Sequence, residues 1–517
     1  MTGSEVGSLP RLDAILTRAA LTEPERDAVI CGDTAWSYAE LHDRSSRLAS
    51  ALATLGVQKG VRVAFWAANR PEFVEVMFGV SMLGAIVAPL DHWWTVKDAF
   101  VALDQIRPKV LIVAASQAAM VEGFQKGLEA AGVEWVLCLD EYPAEPAFRD
   151  YHLEVDRAAR LAGPTPVAPT DPAVIFFTSG STGRSKGAVH THGSLMAAAM
   201  TMTLELGLRD GERTLHFLPL FSSCMEHLIP LTLVRATHVI LPQFDPAAVW
   251  EAVRDFEVTH FDAVPTTLRR LLEVAPLTVP KSLRLISYAS ERMPAPLITA
   301  LIERMPGVEF VQFYGMMEQL CLTVLSASDQ LRKIGTVGRP MLGAHLYLLD
   351  GLDDGAKQAG AGEVVARSAT LFAGYWQDES ATALVMHAGG MRTGDIGRFD
   401  GDGFLTLEGR AKEMIKTGGL TVIPAEIESV LMEHPRVVDA AVVGIPDERW
   451  GEAVHAFVTP APGASILEDE LKAYCHQRLA GYKRPKVFHI VAELPRTGIG
   501  KIARRLLREQ VVESRAD

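Results

Sequence analysis

Residues 174–189 read VIFFTSGSTGRSKGAV, and this stretch decides how the rest of the chain is interpreted. Four apolar residues at 174–177 predict a buried strand, which runs directly into a turn rich in glycine and hydroxyl side chains. Glycines let backbone N–H groups approach a polyanion closely, and a lysine adds charge, so the turn is typical of a phosphate-binding loop. The alternative is an ordinary Gly/Ser surface loop, and the spacing is not that of a Walker loop. The residues predicted to bind phosphate are Thr178, Ser179, Gly180, Ser181, Thr182, Gly183 and Lys186.

The size and composition of the chain exclude several classes of protein. Its 517 residues are too many for one core and predict at least two domains. A formal net charge of −13 argues against a nucleic-acid-binding protein, whose basic surface leaves a trace in the composition. The five cysteines form no C-x-x-C pair, which favours reduced thiols over disulfides or a zinc site.

The cellular location of the protein is predicted from its first residues and from its longest apolar stretch. The first residues do not resemble a signal peptide, and the longest apolar stretch, 77–90, is short for a membrane span. We therefore expect a cytoplasmic protein without a membrane span. The sequence leaves the oligomeric state open, with a homodimer as the alternative to a monomer.

The first part of the chain alternates helical and strand patterns. A helix from Trp36 to Gly56 precedes a strand at 61–66, a second helix–strand step covers 72–87, and a third ends in a strand at 110–114. A Pro- and Ala-rich linker at 160–173 leads to the glycine-rich loop. Strands at 238–241, 283–288 and 309–313 follow, with helices at 247–256 and 266–274 between them. This alternation predicts an α/β fold with parallel-rich sheets sandwiched by helices.

The pattern changes at Leu346. Short strands and Gly/Asp turns up to Leu407 predict a β-rich subdomain. A compact α+β pattern follows, with a helix from Pro424 to His434, strands at 437–443 and 453–459, and a helix at 466–479. The apolar face of the last helix is predicted to carry Leu467 and Leu471. We predict an N-terminal domain at 1–409, a boundary at 410–412 and a C-terminal domain at 413–517.

Other segments place polar side chains beside glycines. Glu318 ends the segment FYGMME (313–318) after an apolar strand, and ligands bind at the carboxyl ends of such strands, where a carboxylate suits magnesium. Asp395 in RTGD (392–395) is placed to accept hydrogen bonds from a ribose, and Arg410 and Lys412 lie at the predicted boundary. Lys501 ends the glycine-flanked segment PRTGIGK (495–501). The plainer alternatives are a solvated glutamate, a turn aspartate, linker charges and a surface lysine.

Taken in order, these segments resemble the superfamily of AMP-forming adenylating enzymes, which includes acyl-CoA synthetases, the adenylation domains of peptide synthetases and firefly luciferase. The similarity begins at TAWSYAEL (34–41) and continues through residues 84–90, TSGSTGRSKG (178–187) and YGMME (314–318). It then includes RTGD (392–395) and GRAKEMIKTGG (409–419) and ends at GIGK (498–501). One motif alone is modest evidence, whereas the ordered set is highly specific. The chain most resembles an acyl-CoA or aryl-CoA ligase.

The resemblance implies roles in forming an acyl-adenylate. The glycine-rich loop would hold the ATP phosphates, Tyr314 with Gly315 would contact the adenine, and Glu318 would bind Mg²⁺. Asp395 would bond the ribose hydroxyls. Lys501 would stabilise the charge that develops on the α-phosphate when the substrate carboxylate attacks it and pyrophosphate leaves.

The resemblance also implies roles in the second half-reaction, in which the thiol of coenzyme A displaces AMP. Arg410, which is not specific to this step, would approach the ribose and phosphate of the nucleotide. Lys412 matches the hinge about which the small, mobile C-terminal domain rotates. Lys416, Gly418 and Gly419 would then face the active site.

Several positions depart from the pattern of the family. Ser185 stands where proline is usual in the loop, and Met317 replaces the threonine of the Y-G-x-T-E motif. Ser222 lies where many members carry a histidine beside the acyl carboxylate, while His227 is close in sequence. Glu291 stands where proline is common. These changes bear on rate and substrate more than on reaction type.

The acyl pocket expected by position in the family is apolar and aromatic. It suits an aliphatic chain or an aromatic acid better than acetate and offers no fixed charge for an ammonium group. We therefore predict an ATP-dependent acid:CoA ligase for a medium- or long-chain aliphatic, steroid side-chain or aromatic acid, with ATP, Mg²⁺ and coenzyme A. The alternatives are transfer to a carrier-protein thiol and a non-catalytic nucleotide-binding relative. The predicted pocket residues are Phe221, Ser222, Cys224, Met225, Phe261, Val264, Tyr288 and Met316.

Overall fold

The computed structural model describes residues 11–141, 148–178, 185–222, 224–350, 353–357, 361–461, 463–496 and 502–513. The chain divides into two compact units, Met1–His345 with Ala366–Met391 and Leu346–Val365 with Arg392–Asp517. The predicted domain boundary at 410–412 stays a prediction.

Sixteen α-helices lie in the described part of the chain. They are α1 (Leu12–Thr22), α2 (Tyr38–Thr54), α3 (Pro71–Met82), α4 (Val96–Ile106), α5 (Ala115–Val121), α6 (Gln125–Ala130), α7 (Tyr151–Arg157), α8 (His192–Glu205), α9 (Cys224–Leu233), α10 (Pro246–Asp255), α11 (Pro265–Glu273), α12 (Ala295–Arg304), α13 (Glu379–Val385), α14 (Pro424–Met432), α15 (Glu468–Arg478) and α16 (Arg504–Glu513).

The described residues also form 28 strands. They are β1 (Asp27–Cys31), β2 (Thr34–Ser37), β3 (Arg62–Trp66), β4 (Ile86–Pro89), β5 (Val110–Val113), β6 (Trp135–Cys138), β7 (Phe148–Asp150), β8 (Pro172–Thr178), β9 (Lys186–Thr191), β10 (Arg213–His216), β11 (Thr237–Ile240), β12 (His260–Ala263), β13 (Leu285–Tyr288), β14 (Glu309–Met316), β15 (Leu320–Leu325), β16 (Arg339–Pro340), β17 (Ala344–Asp350), β18 (Asp353–Lys357), β19 (Ala361–Ser368), β20 (Gly374–Tyr375), β21 (Met386–His387), β22 (Gly390–Phe399), β23 (Leu405–Arg410), β24 (Ile415–Thr417), β25 (Leu420–Val422), β26 (Val437–Asp447), β27 (Gly451–Pro460) and β28 (Val487–Ile490).

The first unit contains two mixed sheets, in which most neighbouring strands are parallel. The nine-stranded sheet has the order β16-β15-β14-β13-β12-β10-β11-β1-β2, and the eight-stranded sheet has the order β20-β9-β8-β4-β3-β5-β6-β7. Pairs β10–β12, β12–β13 and β13–β14 are parallel, as are β3–β4 and β4–β8. This confirms the predicted α/β fold with parallel-rich sheets.

The helices of the first unit form where local sequence signals favour them. Ser37 caps α2 in a capping box with Glu40, and Leu41 and Leu48 are buried on its inner face as the spacing predicts. Helix α3 begins at Pro71 and is buried all round, so its residues serve packing on every side. It can approach α2 closely because Gly79 has no side chain: a Cβ there would lie 2.9 Å from the Ser45 carbonyl oxygen.

The glycine-rich loop connects the two strands of a hairpin. Strand β8 confirms the predicted strand at 174–177, and β9 pairs with it antiparallel, with Thr178 opposite Lys186. The sequence analysis did not predict β9. Its six residues include Lys186 and His190, which interrupt the apolar pattern, although His190 is buried.

The second unit contains two sheets. The first has the order β18-β17-β19-β22 with β23 paired to β22, and the second has the order β25-β24-β27-β26 with β28 paired to β27. Helix α14 begins at Pro424, as predicted, and buries Ile427 and Leu431. The predicted face of the helix at 466–479 was partly wrong: α15 begins at Glu468, so Leu467 precedes it and is 70% exposed, whereas Leu471 and Cys475 are buried.

Among the described residues, no helix is both long enough and apolar enough to cross a lipid bilayer.

Candidate active site

The hairpin β8–β9 holds the two ends of the predicted phosphate loop together. The Thr178 hydroxyl donates a hydrogen bond to the Lys186 carbonyl oxygen across the register pair, at 3.4 Å. Both side chains are partly buried. Five predicted phosphate-binding residues lie outside the described residues: Ser179, Gly180, Ser181, Thr182 and Gly183.

One tyrosine connects the loop lysine with the predicted magnesium ligand. The Lys186 ammonium lies 4.8 Å from the centre of the Tyr375 ring, and the Tyr375 hydroxyl donates a 2.7 Å hydrogen bond to Glu318 Oε1. Burial and the nearby Glu318 carboxylate raise the pKa of Tyr375, so its hydroxyl keeps its proton and remains a donor. Strand β20 places Tyr375 beside Ala188 of β9. The sequence analysis missed this residue, although a tyrosine and a tryptophan follow Gly374 directly.

The segment YGMME forms the turn at the end of β14. A β-bulge separates Tyr314 from Gly315, and Tyr314 is 9% exposed. A Cβ at Gly315 would lie 1.5 Å from the Leu320 carbonyl oxygen, so close packing requires a glycine at this position whether or not a ligand is bound. Glu318 is also 9% exposed, and its carbonyl oxygen accepts a hydrogen bond from the Phe372 amide at 2.9 Å.

The buried His190 forms a hydrogen bond to the backbone of Met317, the residue that departs from the family motif. His190 Nε2 donates to the Met317 carbonyl oxygen at 2.6 Å, and burial lowers the pKa of His190 to about 4. The imidazole is therefore neutral, and this donor assignment leaves Nδ1 to accept from the Ser194 hydroxyl at 3.1 Å. The Met317 side chain packs against the apolar core, so the threonine hydroxyl of the family motif is replaced by an apolar contact.

Three of the predicted acyl-pocket residues, Phe261, Val264 and Tyr288, pack in one apolar core beside the nine-stranded sheet. Phe261 and Tyr288 lie on one face and are fully buried: Phe261 packs against Phe217, and the Tyr288 hydroxyl donates to Gln330 Oε1 at 2.7 Å. Val264 follows β12 as the N-cap of α11 and packs against the same apolar core as Phe261 and Tyr288.

The other predicted pocket residues lie near the carboxyl ends of strands. Phe221 contacts the rings of His92 and Trp93, with centroids 5.7 and 6.1 Å away. Ser222 is buried and its hydroxyl donates to the Pro219 carbonyl oxygen at 3.1 Å. Met316 packs in a small cluster with Phe372 and Met391. The side chains of Cys224 and Met225 lie outside the described part of the structure.

A buried polar cluster on the face of β12 opposite Phe261 was not predicted from the sequence. Asp262 Oδ1 accepts a hydrogen bond from the Ser287 hydroxyl at 3.2 Å, and His227 Nε2 lies 3.7 Å from the same oxygen. His260 Nε2 lies 2.9 Å from Ser287 Oγ. The motif HFDA in β12 alternates polar and apolar residues, which was the available signal, but four residues are too few to assign the polar side to the protein interior.

In the second unit, antiparallel pairing brings together two predicted nucleotide-binding residues. Asp395 in β22 lies opposite Arg410 in β23, and Arg410 Nε donates to Asp395 Oδ1 at 3.1 Å. Asp395 is buried, whereas the Arg410 side chain is 57% exposed. The Asp395 amide donates to the Thr393 hydroxyl oxygen at 3.1 Å, which fixes the turn at RTGD.

The predicted residues of the second half-reaction occupy one hairpin. Gly418 and Gly419 have positive φ angles of 57° and 78° and connect β24 to β25, a tight turn that glycine favours. Lys416 in β24 is exposed, and its amide donates to Glu452 Oε2 at 2.7 Å. Lys412 lies in a short 3₁₀ turn, Ala411–Glu413. Lys501 lies outside the described residues.

This architecture is that of an adenylate-forming enzyme. Its parallel-rich sheets carry a glycine-rich hairpin loop and a buried glutamate, and its second unit carries a buried aspartate paired with an arginine.

The chain belongs to the AMP-binding enzyme family. The family model of the AMP-binding enzyme matches residues 16–376, and the model of its C-terminal domain matches residues 426–501.

Relatives and solved structures are similar to this chain over nearly its full length. The chain is 35% identical to a feruloyl-CoA synthase of Amycolatopsis over 99% of this chain and 100% of the relative. It is 33% identical to the long-chain-fatty-acid–CoA ligase FadD13 of Mycobacterium tuberculosis, over 96% and 97%. The o-succinylbenzoate CoA synthetase of Bacillus subtilis with its acyl-adenylate superposes with a TM-score of 0.84 at 29% identity, over 96% and 97%. The chain is thus an AMP-forming acyl-CoA synthetase, which converts a carboxylic acid to its CoA thioester with ATP through an acyl-adenylate.

Proposed function

We propose that this enzyme ligates an aromatic carboxylic acid to coenzyme A. The observation that carries the proposal is the aromatic cluster of His92, Trp93 and Phe221. His92 and Trp93 follow β4, Phe221 follows β10, and ligands bind at the carboxyl ends of such strands. Trp93 is 53% exposed, so a planar ring has an aromatic surface against which to pack.

We also propose that residues of the loop and of the other family motifs hold the nucleotide during adenylation. Lys186 and the loop hydroxyls bind the departing pyrophosphate, Tyr314 contacts the adenine, and Asp395 binds the ribose. Lys501 stabilises the negative charge that grows on the α-phosphate as the substrate carboxylate attacks. The support for Lys186 is its position at the start of β9, beside the tyrosine that also bonds Glu318.

Glu318 is the residue proposed to hold Mg²⁺. Its carboxylate is largely buried. Among the described residues, Oε1 accepts a hydrogen bond from Tyr375, and a carboxylate has further acceptor positions for a hard cation. Among the described residues no group of three or more His, Cys, Asp and Glu side chains forms a metal site, which fits an ion bound through one carboxylate and substrate phosphates. When bound, Mg²⁺ neutralises phosphate charge.

In the second half-reaction, Lys412 is proposed as the hinge of the C-terminal domain, 413–517. Lys416, Gly418 and Gly419 then serve thioester formation. Arg410, which is not assigned to this step alone, approaches the ribose and phosphate. The positive φ angles of the two glycines support a fixed turn rather than a floppy one, because few other residues adopt that backbone conformation. The cytoplasmic location and the oligomeric state stay predictions.

The proposed function is tested by measuring pyrophosphate release from ATP over a panel of aromatic and aliphatic acids, with and without coenzyme A. We expect release and acyl-CoA formation with aromatic acids at a higher kcat/KM than with aliphatic acids of similar size. A clear preference for long-chain aliphatic acids would overturn the aromatic assignment. Release without acyl-CoA would favour transfer to a carrier-protein thiol.

A further inference from the structure

The residues on either side of the segment 497–501, which ends at Lys501, are paired with each other in the second unit. Arg496 and Ile502 form an antiparallel bridge, and the Ala503 amide donates a 2.7 Å hydrogen bond to the Pro495 carbonyl oxygen. Lys501 is bonded directly to Ile502, so whatever fixes the chain from Ile502 onward also limits the positions open to the Lys501 side chain.

Arg504 fixes this part of the chain through a buried carboxylate. Its Nη2 donates to both oxygens of Glu428, at 2.9 Å each. Glu428 lies in α14 and is 8% exposed, and its Oε1 also accepts the amide of Val442 in β26 at 2.8 Å. A charged guanidinium and a backbone amide thus orient the same carboxylate, which joins Arg504 firmly to the sheet of the second unit.

Two further ion pairs surround this one. Arg504 Nη1 lies 3.4 Å from Glu413 Oε2, but Glu413 is 35% exposed, so water weakens this pair more than the buried one. On the other side of the segment, the Arg496 guanidinium donates to the carboxylate of Asp439, which also lies in β26. Ion pairs therefore tie both sides of the segment to β26 or to a residue bonded to it.

The stability of helix α16 rests on other contacts. Leu507 and Val511 are buried and pack in an apolar cluster with Val443 and Phe457. A buried ion pair adds little net stability, because removing both charges from water costs about as much as their attraction returns. The pair of Arg504 with Glu428 is therefore better suited to fixing a position than to holding the unit together.

We propose that Arg504 is a positioning residue for Lys501 during adenylation. This inference rests on the proposed function, because it takes Lys501 to be the lysine that acts at the α-phosphate. A displacement of about 1 Å at a reacting centre can lower a rate about 100-fold, so a lysine on a loosened segment loses most of its effect.

The effect should be confined to the first half-reaction. Lys416, Gly418 and Gly419 belong to the hairpin β24–β25, and the Lys416 amide is bonded to Glu452. These residues are proposed to serve thioester formation, and that step does not use Lys501.

The test compares the two half-reactions of Arg504→Ala in single-turnover assays, with the acid that the wild type activates fastest. Adenylation from ATP should fall by about tenfold or more, whereas thioester formation from pre-formed acyl-adenylate should stay within about threefold of the wild type. Arg504→Lys keeps the charge but loses the planar guanidinium, so its loss of adenylation should be intermediate.

The matched control is Arg505→Ala, at the next position of α16. The Arg505 side chain is 71% exposed and pairs with Glu509. Both half-reactions should stay within about twofold of the wild type, since exposed ion pairs contribute little. If Arg504→Ala lowers both half-reactions by one common factor, the ion pair is only structural and the inference is wrong.

Glu428→Gln is a milder variant that tests the same pair if Arg504→Ala does not fold. It keeps an acceptor for the Val442 amide but removes the charge that faces Arg504. We expect the same division, with adenylation lowered and thioester formation preserved. Unchanged adenylation in a folded Glu428→Gln enzyme would overturn the role of the pair.

Combining Arg504→Ala with Lys501→Ala tests whether one residue acts through the other. The double variant should adenylate within about twofold of Lys501→Ala alone, because a lysine that is absent cannot be misplaced. A further tenfold loss in the double variant would overturn the inference.

The single variants distinguish this inference from the proposed function. Undiminished adenylation in Lys501→Ala would contradict the proposed role of Lys501 itself. A loss in Lys501→Ala without a loss in Arg504→Ala would overturn only the positioning role and leave the proposed function intact.

Discussion

Tyr375 holds the carboxylate of Glu318 through a 2.7 Å hydrogen bond and lies beside the Lys186 ammonium. A hydrogen bond to a charged group contributes about 1.5–3 kcal/mol, and here it also fixes the orientation of the proposed magnesium ligand. Tyr375→Phe should therefore lower kcat/KM for pyrophosphate release by about tenfold or more while the fold persists. The measurement is pyrophosphate release at varied Mg²⁺, with the apparent Mg²⁺ affinity as a second readout.

The control for Tyr375→Phe is Tyr482→Phe, which removes a hydroxyl from a tyrosine that is 38% exposed. It should leave both kcat/KM and the Mg²⁺ dependence unchanged. An unaltered Mg²⁺ dependence in Tyr375→Phe would contradict the proposed role of Glu318.

Gly315 is a second position, at which one added carbon atom is expected to change the stability of the fold. A methyl group there would lie 1.5 Å from the Leu320 carbonyl oxygen, so Gly315→Ala forces the backbone of β14 or β15 to move. We expect the free energy of unfolding to fall by about 4 kcal/mol or more, which is the size of effect that severe local disruption produces. Urea unfolding measures the change, and Gly163→Ala, with no atom within 4 Å of its Cβ position, should stay within about 0.5 kcal/mol of the wild type.

At the scale of elements, β9 to β12 place several histidines in the interior as neutral bases. Burial lowers the pKa of His190 to about 4 and of His238 to about 3, and those of His216 and His260 also fall. The histidines of the unfolded chain take up protons as the pH falls below about 6.5, whereas the buried histidines of the folded chain do not. Their contribution to the free energy of unfolding is therefore fully present above that pH and decreases as the pH drops. One such histidine should account for about 2 kcal/mol between pH 7.5 and pH 5.

The prediction is that the free energy of unfolding decreases from pH 7.5 to pH 5, as measured by urea unfolding. Glu75 acts in the opposite direction, because burial raises its pKa to about 7 and its contribution falls as the pH rises, but the histidines outnumber it. His238→Gln should reduce the difference between the two pH values by about 2 kcal/mol. The exposed His476→Gln should not change it, and equal pH profiles for wild type and His238→Gln would show that His238 is not neutral in the fold.

At the scale of the whole molecule, the proposed reaction uses different lysines for its two halves. Lys501→Ala should lower adenylation by about 100-fold or more, because it removes the charge proposed to stabilise the α-phosphate. Lys416→Ala is the matched variant: it should impair thioester formation from pre-formed acyl-adenylate more than adenylation. Single-turnover assays that start from ATP or from the acyl-adenylate separate the two steps.

The two variants should therefore show opposite patterns. If both lower the two half-reactions to the same extent, the lysines do not divide the reaction and the proposed rotation about Lys412 loses its support.

The strand at 174–177, the helices at Tyr38 and Pro424 and the alternating α/β order were predictable, because local signals agree with the final fold there. Strand β9 was not, since its pairing with β8 is a contact across a loop rather than a property of its own composition. Leu467 was assigned to a buried helical face because periodicity does not show at which residue a helix begins.

The sequence by itself determined the reaction class of this protein, because the ordered glycine-rich, carboxylate and lysine motifs are read along one chain. Only the tertiary structure decided which side chains meet. Lys186, Tyr375 and Glu318 are far apart in sequence, and Asp262 is joined to Ser287 and His260 only through the register of neighbouring strands. The physical reason is that a motif shows only residues that are close together along the chain. Which side chains meet is set instead by strand register and by which face of each strand is buried.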